Sequence, residues 1–444
     1  MNSQATALAP QPAGPPPKPR GGYRVLHTAD WHLGKMLGER SREDEHRRFL
    51  AFLLQVIREQ GVDALLIAGD VFDSANPPQS AVAQYFDFLS ALFRQGGCAV
   101  IIVAGNHDSP GHLEAPRQVL KALGAHVVGA LPGSTADLLV PLPAQSPQVV
   151  VAAVPFLRDR DLRTGQPGQG ASDIQRDLVQ GIAQRYKEAA AAARDLAKDG
   201  IPLLATGHLM VAGSSTCESE REIHVGGLGA VGGDCFSEMA FAYLALGHLH
   251  RPQNAAGRAG VRYAGSPLPL SFSEANDRKE LCVLDFADGR LLPPSAIVLP
   301  RFRPLARVCA RRDELEQALK EFQIPEGELP AWVEVVVENP APGENLYEVV
   351  QELVHERHFE VVRVTGKRTG PLAGLNAANP AALESIDALL GDPAKVFAHR
   401  LEAEPALPAE ERAVLQTAFE ELRNLYSEKQ REGRAPATET QRTL

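Results

Sequence analysis

The chain has 444 residues, 44% of them apolar and 23% charged, with a formal net charge of −10. That length suits about three domains with cores of their own, and the acidic balance excludes a bulk-basic nucleic-acid binder, so any DNA contact must come from a local basic patch. Five scattered cysteines (Cys98, Cys217, Cys235, Cys282, Cys309) form no C-x-x-C pair, which argues against a disulfide framework or zinc knuckle and for a reducing, cytoplasmic setting.

The opening stretch MNSQATALAPQPAGPPPKPRGG is rich in Pro, Ala and Gly and lacks the apolar h-region of a secretory signal. Residues 1–21 are therefore expected to be a disordered Pro-rich leader. No apolar run reaches the roughly 18–20 residues that span a bilayer. From Tyr23 the pattern alternates. YRVLH reads as a strand. EDEHRRFLAFLLQVIREQG then sets Phe49, Leu53, Val56 and Ile57 on one helical face and closes at Gly61. DALLIAGD is the next strand, and QSAVAQYFDFLSALFRQGG the next helix, with Val82, Tyr85, Phe86, Leu89, Leu92 and Phe93 at helical spacing. VIIVAGNHDSP follows as a buried strand that runs into polar residues. This alternation predicts an α/β fold with crossovers. VVVAAVP, PLLATGH, FAYLALGH and VRYAGSP continue it, with a helix over 172–198 between the first two.

After about Pro300, PLARVCA, ELEQALKEF, AWVEVVVE, LYEVVQELVHER and FEVVRVTG read as a compact β-α-β-α-β unit. A loop rich in Gly, Ala, Asn and Pro leads to a last piece, where Asp392 and Pro393 mark a helix start. A further helix over 409–430 lines up Leu415, Phe419, Leu422 and Tyr426. That stripe fits either packing on its own domain or docking on a partner helix.

The residues placed directly after the apolar runs carry the chemistry. They are Asp30 and His32, Asp70, then Asn106, His107 and Asp108, then His208, then His248 and His250. In an α/β sheet the carboxyl ends of the strands line a common crevice. In four of these five segments a glycine precedes the polar residue, letting the backbone turn out of the sheet. Carboxylates, imidazoles and one amide, with no thiolate, suit paired Mn- or Fe-like ions, with zinc a further option. Two such ions about 3.5–4 Å apart can clamp the attacking and leaving oxygens at phosphorus. His27, His46, His112, His126 and His224 lack this placement and are expected to be structural, while His355, His358 and His399 fall outside the first domain.

The set D-x-H, G-D, G-N-H-D, G-H and G-H-x-H resembles the calcineurin-like metallophosphoesterases in order and spacing. HTADWHLGK, SREDEHRRFL, AGDVFDSANPP, ATGHLM, LALGHLHRPQ and YAGSPLPLSFSE further resemble the family of nuclease subunits of the bacterial SbcCD complex. The likeness extends to PAWVEVVVE and PAKVFAHRLEAE and covers nearly all of the chain after residue 22.

This resemblance implies an α/β sandwich nuclease domain over 22–298, a small α+β capping domain over 303–370, and C-terminal helices over 384–430 that bind a partner. It implies Asp30, His32, Asp70 and His250 on one metal and Asp70, Asn106, His208 and His248 on the other, most naturally Mn(2+). His107 would sit over the scissile phosphate as a catalytic residue. Asp108 would either orient His107 or make a plain strand-end hydrogen bond. In some relatives from outside the bacteria a second catalytic histidine follows the bridging aspartate by three residues; Asp73 stands there, so no proton transfer is assigned to it.

The implied activity is 3′-to-5′ exonuclease and endonuclease action on double-stranded DNA ends and hairpins in repair and recombination. The implied partner is an SbcC-type ATPase with a coiled coil, the chain forming a homodimer within a heterotetramer, in the cytoplasm at the nucleoid. A phosphatase or small-molecule phosphodiesterase on the same fold is the alternative, but protein phosphatases of this superfamily carry Asp-Arg-Gly and G-N-H-E where this chain has GDVFDS and G-N-H-D. A scaffold with dead chemistry is disfavoured by the intact ligand set. Arg158, Arg160 and Arg163, and Arg363, Lys367 and Arg368, are either phosphate contacts or solvated faces.

Overall fold

The computed structural model describes residues 14–163, 170–197, 200–221, 223–224, 229–258, 260–341, 343–355, 357, 359–367 and 415–419. Residues up to Lys367 form one compact unit and Arg368–Leu444 a second; in the second, residues 415–419 are helical, and the rest of the expected C-terminal helices lies outside the described residues.

The chain enters β1 (Tyr23–Thr28), makes a small hairpin of β2 (Met36–Leu37) and β3 (Arg40–Ser41), and continues into α1 (Glu43–Glu59). Glu43, Asp44 and Glu45 in the first turn and Arg58 in the last complement the dipole of that helix. Next come β4 (Ala64–Ala68), α2 (Gln79–Gln95) and β5 (Ala99–Val103), then the short helices α3 (Pro110–Glu114) and α4 (Arg117–Ala122) and strand β6 (Ala125–Val128). β1, β4, β5 and β6 pair in parallel with the helices as crossovers. Their apolar runs are continuous because both faces are covered. Leu26, Leu65, Ile67 and Ile102 pack against Phe49, Leu53, Tyr85 and Leu89 of α1 and α2.

The opposite face is covered by a second sheet. It comprises β7 (Leu139–Leu142), β8 (Val149–Ala152), β9 (Leu203–His208), β10 (Tyr243–Gly247), β11 (Gln253–Asn254) and β12 (Val261–Tyr263), in the order β11-β12-β10-β9-β8-β7. Val25, Leu66 and Val103 of the first sheet share a core with Val151, Leu204 and Leu246 of the second. Between β8 and β9 run the short α5 (Asp159–Leu162) and the long α6 (Ala171–Ala197), whose Tyr186 hydroxyl donates to the Thr206 carbonyl at 2.9 Å. The chain then returns to the first sheet. β13 (Glu280–Ala287) pairs antiparallel with β1, and β14 (Arg290–Leu291) and β15 (Ser295–Val298) pair with β13. These three strands were not anticipated in the sequence.

β16 (Leu305–Arg311), α7 (Leu315–Glu321), β17 (Trp332–Glu338), α8 (Leu346–Val354) and β18 (Glu360–Lys367) form the β-α-β-α-β unit as a three-stranded parallel sheet with its own core. Its seam with the two-sheet body is specific. Phe272 packs with Leu305 and Trp332, and the Arg303 guanidinium lies 4.2 Å from the Trp332 ring centroid while pairing with buried Glu45 at 2.9 Å.

Residues 14–21 of the expected leader are not disordered. Lys18 donates to the Gly61 carbonyl at 3.0 Å, and the Pro16 carbonyl accepts from Arg24 at 2.7 Å. These bonds supply what the proline-rich composition lacks, namely contacts to the folded body. Residues 1–13 lie outside the described residues.

Candidate metal centre

The polar residues that follow β1, β4, β5, β9 and β10 meet where the two sheets face each other. Asp30, His32 and His250 converge in one group, and Asp30, Asp70 and His208 in another, with ligand-type atoms within 4.8 Å of one another in each. All five side chains are buried.

Local backbone geometry aims them. Asp30, His32, Asp70 and His248 have φ of 53°, 47°, 49° and 103°, left-handed values that side chains seldom adopt and that cost on the order of 1–3 kcal/mol each. Hydrogen bonds between the strand ends hold the strain: Asp30 N–H donates to Gly69 O and His32 N–H to Asp70 O, both at 3.0 Å. The glycines serve differently from what their turn-forming role suggests. Gly69 has a positive φ, but Gly105 and Gly247 do not. A Cβ on Gly105 would overlap Asp70, and one on Gly247 would overlap the Ala68 carbonyl. These glycines allow close approach across the site.

The hydrogen-bond pattern tests whether cations fit. His32 Nδ1 lies 3.2 Å from the acceptor-only carboxylate of Asp73, so it carries the ring proton. His250 Nδ1 lies 2.6 Å from Ser219 Oγ, which itself donates to Glu274 at 2.5 Å, so that nitrogen is also the protonated one. The two Nε2 atoms then face each other at 3.2 Å. His208 Nδ1 donates to the Ala68 carbonyl at 3.1 Å, which aims Nε2 at Asn106 Oδ1 (2.9 Å) and Asp70 Oδ2 (3.3 Å). Lone pairs and carboxylate oxygens converging this closely need a proton or a metal cation among them, and the oxygen and imidazole donor set fits two divalent ions.

The electrostatics agree. Burial pushes the Asp30 carboxyl up to about 7, with Asp70 adding to it. For His208 burial works downward, but the adjacent Asp70 overcomes it and raises the imidazole to about 9, so an arriving cation would displace a proton there. His250 is lowered to about 4 by burial, against the pull of Glu274, and burial also keeps His248 well below its ordinary value. Neutral imidazoles are the ligating form.

His107 stands beside this group, its ring centroid 4.8 Å from that of His32. Its backbone N–H donates to Asp70 Oδ1 at 2.9 Å, and its Nδ1 donates to the Asp73 carbonyl at 2.7 Å. Asp108 does not orient it. The Asp108 carboxylate accepts the backbone N–H groups of Val71, Phe72 and Gly105 at 3.1, 2.9 and 2.9 Å, the strand-end bond that the sequence left open beside a role in orienting His107. Sequence reasoning missed the supporting roles of Asp73, Ser219, Glu220, Glu274 and Lys279, although Asp73 and Glu274 lie inside the segments AGDVFDSANPP and YAGSPLPLSFSE.

The remaining histidines have local partners. His46 donates to the Trp31 carbonyl at 2.9 Å, His27 meets the Tyr243 hydroxyl at 3.2 Å, and His224 meets Asp159 at 2.7 Å. His358 and His399 lie outside the described residues. Of the basic segments, Arg160 is exposed and Arg363 pairs with Glu334 at 3.3 Å, while Arg368 lies outside the described residues. Among the described residues no helix is long and apolar enough to cross a membrane.

Residues 23–252 match the calcineurin-like phosphoesterase family, and residues 301–404 match the type 5 capsule protein repressor C-terminal domain. The chain is 34% identical over 349 residues to the SbcD nuclease of Escherichia coli, covering 78% of this chain and 85% of that protein. The protein of the same name from Rhodobacter capsulatus is 41% identical over 320 residues, 68% of this chain and 76% of that one. The Bacillus subtilis protein is 35% identical over 286 residues, 64% and 71% respectively. With the phosphoesterase match running from β1 through β10 and these identities spanning most of each relative, the chain belongs to the SbcD nuclease family of calcineurin-like phosphoesterases.

Proposed function

We propose that the chain is the nuclease subunit of an SbcCD-type complex and hydrolyses phosphodiester bonds at double-stranded DNA ends and hairpins, using two Mn2+ ions. The observation that carries this reading is the position of Asp70. Its Oδ2 lies 3.3 Å from His208 Nε2 and 3.6 Å from His32 Nε2, between the two groups of acceptors. In this assignment Asp30, His32, Asp70 and His250 hold one ion, and Asp70, Asn106, His208 and His248 hold the other. The oxygen and imidazole donors, without thiolate, favour Mn-like ions over softer ones.

When bound, the ions supply the positive charge that draws in the phosphodiester and stabilises its transition state. The chain's own groups do the rest. The Asp73 carbonyl fixes His107 through Nδ1, which leaves Nε2 to donate a hydrogen bond or a proton to the phosphate. Residues 22–298 act as the nuclease domain and 303–370 as the capping domain. The segment 384–430 receives the coiled-coil base of an SbcC-type ATPase, in a cytoplasmic, nucleoid-associated heterotetramer.

The test is cleavage of end-labelled linear duplex DNA by the full-length chain, alone and with an SbcC-type ATPase. Cleavage is expected in Mn2+, with loss in EDTA and a drop of at least about 10³-fold for Asp70→Ala, which removes charge stabilisation of the transition state. Absence of Mn2+-dependent cleavage in the presence of the ATPase would overturn the reading.

A further inference from the structure

YAGSPLPLSFSE contributes no ligand to the metal centre, yet its glutamate is fully buried against it. Each polar atom of His250 other than Nε2 is held by a different residue. Nδ1 meets Ser219 Oγ at 2.6 Å, the backbone N–H donates to Glu220 at 2.8 Å, and the carbonyl accepts from Lys279 Nζ at 2.8 Å.

Glu274 joins two of these holders. It accepts from Ser219 Oγ at 2.5 Å through one oxygen and from Lys279 Nζ at 2.6 Å through the other. A serine hydroxyl has one proton. The Lys279 ion pair keeps Glu274 an acceptor, so Ser219 must give it that proton, and its oxygen is left to accept from His250 Nδ1–H. The direction of this chain fixes the tautomer, because the proton on Nδ1 leaves the Nε2 lone pair bare toward His32 Nε2 at 3.2 Å.

We propose that Ser219 and Glu274, with Lys279 as counter-charge, are positioning residues that lock His250 in its metal-ligating tautomer and so set the affinity of one of the two ion sites. Asp73 holds His32 in the same way by a direct carboxylate bond at 3.2 Å; on the His250 side the carboxylate acts through an intervening hydroxyl. Groups that orient ligating histidines typically change metal affinity by about 10–100-fold. This inference rests on the two-ion reading above.

The experiment titrates Mn2+ into the full-length chain and reads the free ion by electron paramagnetic resonance. Ser219 is half-buried on a loop, so Ser219→Ala removes the relay without breaking the Glu274–Lys279 pair. Ser219→Ala is expected to weaken one Mn2+ site by about 10–100-fold while the other keeps its affinity. Ser219→Thr, which keeps a hydroxyl, should restore wild-type uptake, and thermal melts in EDTA should coincide for all three proteins. Two wild-type sites with unchanged affinities in Ser219→Ala would overturn the positioning role alone. Failure of the wild-type chain to take up Mn2+ would overturn the two-ion reading and this inference with it.

Discussion

Asp73 and Asp108 exchange the parts that adjacency to His107 suggests. The neighbour in sequence, Asp108, spends its carboxylate on three backbone N–H groups, while the residue that fixes the imidazole is Asp73, through its carbonyl. A backbone carbonyl orients a histidine without adding a full charge, so His107 remains below its ordinary pKa, lowered by burial against the pull of Asp70. In the proposed mechanism, replacing His107 removes a proton donor to the phosphate and no ligand of either ion. His107→Asn is expected to take up two Mn2+ ions as the wild type does and to cut DNA roughly 10²–10⁴-fold more slowly, the range of a lost general acid. Single-turnover cleavage at saturating Mn2+ measures this, and an undiminished rate would remove His107 from the mechanism.

At the level of the element, the site is a product of strands that end at the same place and of glycines that let them come close. Gly247 closes β10 at a point where a Cβ would meet the Ala68 carbonyl at the end of β4. Backbone on both sides leaves little room for relief. Gly247→Ala is therefore expected to destabilise the domain by about 1–3 kcal/mol through overpacking. Because His248 and His250 follow directly, it should also weaken Mn2+ uptake. Urea denaturation in EDTA reads the first effect separately from the second, and a variant as stable as the wild type would show that the two sheets tolerate a wider separation there.

Across the whole molecule, buried histidines outside the proposed ligand set tie stability to pH. Burial, with Arg262 adding to it, lowers His27 to about 3, and burial with Arg42 does the same to His46. His46 Nδ1 has no hydrogen-bond partner among the described residues, so protonation there would bury an unpaired N–H. The unfolded chain takes up these protons near 6.5 and the folded chain near 3. Between those values the unfolded state binds more protons. The contribution of these two histidines is thus full above about 6.5 and falls as pH drops toward 3, by roughly 1.4 kcal/mol per pH unit for each. A urea midpoint series in EDTA from pH 7 to pH 4 should show this slope, and its persistence in a His27→Asn, His46→Gln double variant would assign it to other groups. The seam with the small parallel sheet also belongs to this scale. The segment SREDEHRRFL supplies Glu45 to Arg303, which stacks on Trp332, so residues far apart in the chain join the two bodies.

What the sequence by itself determined is what local chemistry dictates. Continuous apolar runs ending in Asp, Asn and His identified the strands, their parallel pairing through helices, and the polar residues that converge at the site, because periodicity and residue type act within a few positions of the chain. The small β-α-β-α-β unit was legible for the same reason. Only the tertiary structure decided which groups stand behind the ligands. Ser219 reaches His250 across 31 positions and Glu274 across 55, from loops with no periodicity to read. Short, irregular β13–β15, the anchoring of Pro16 and Lys18, and the choice of Asp73 over Asp108 likewise depend on where two stacked sheets bring distant segments. Hydrogen-bond partners there are selected by burial, since an unpaired polar group between the sheets costs more than the strain of reaching one.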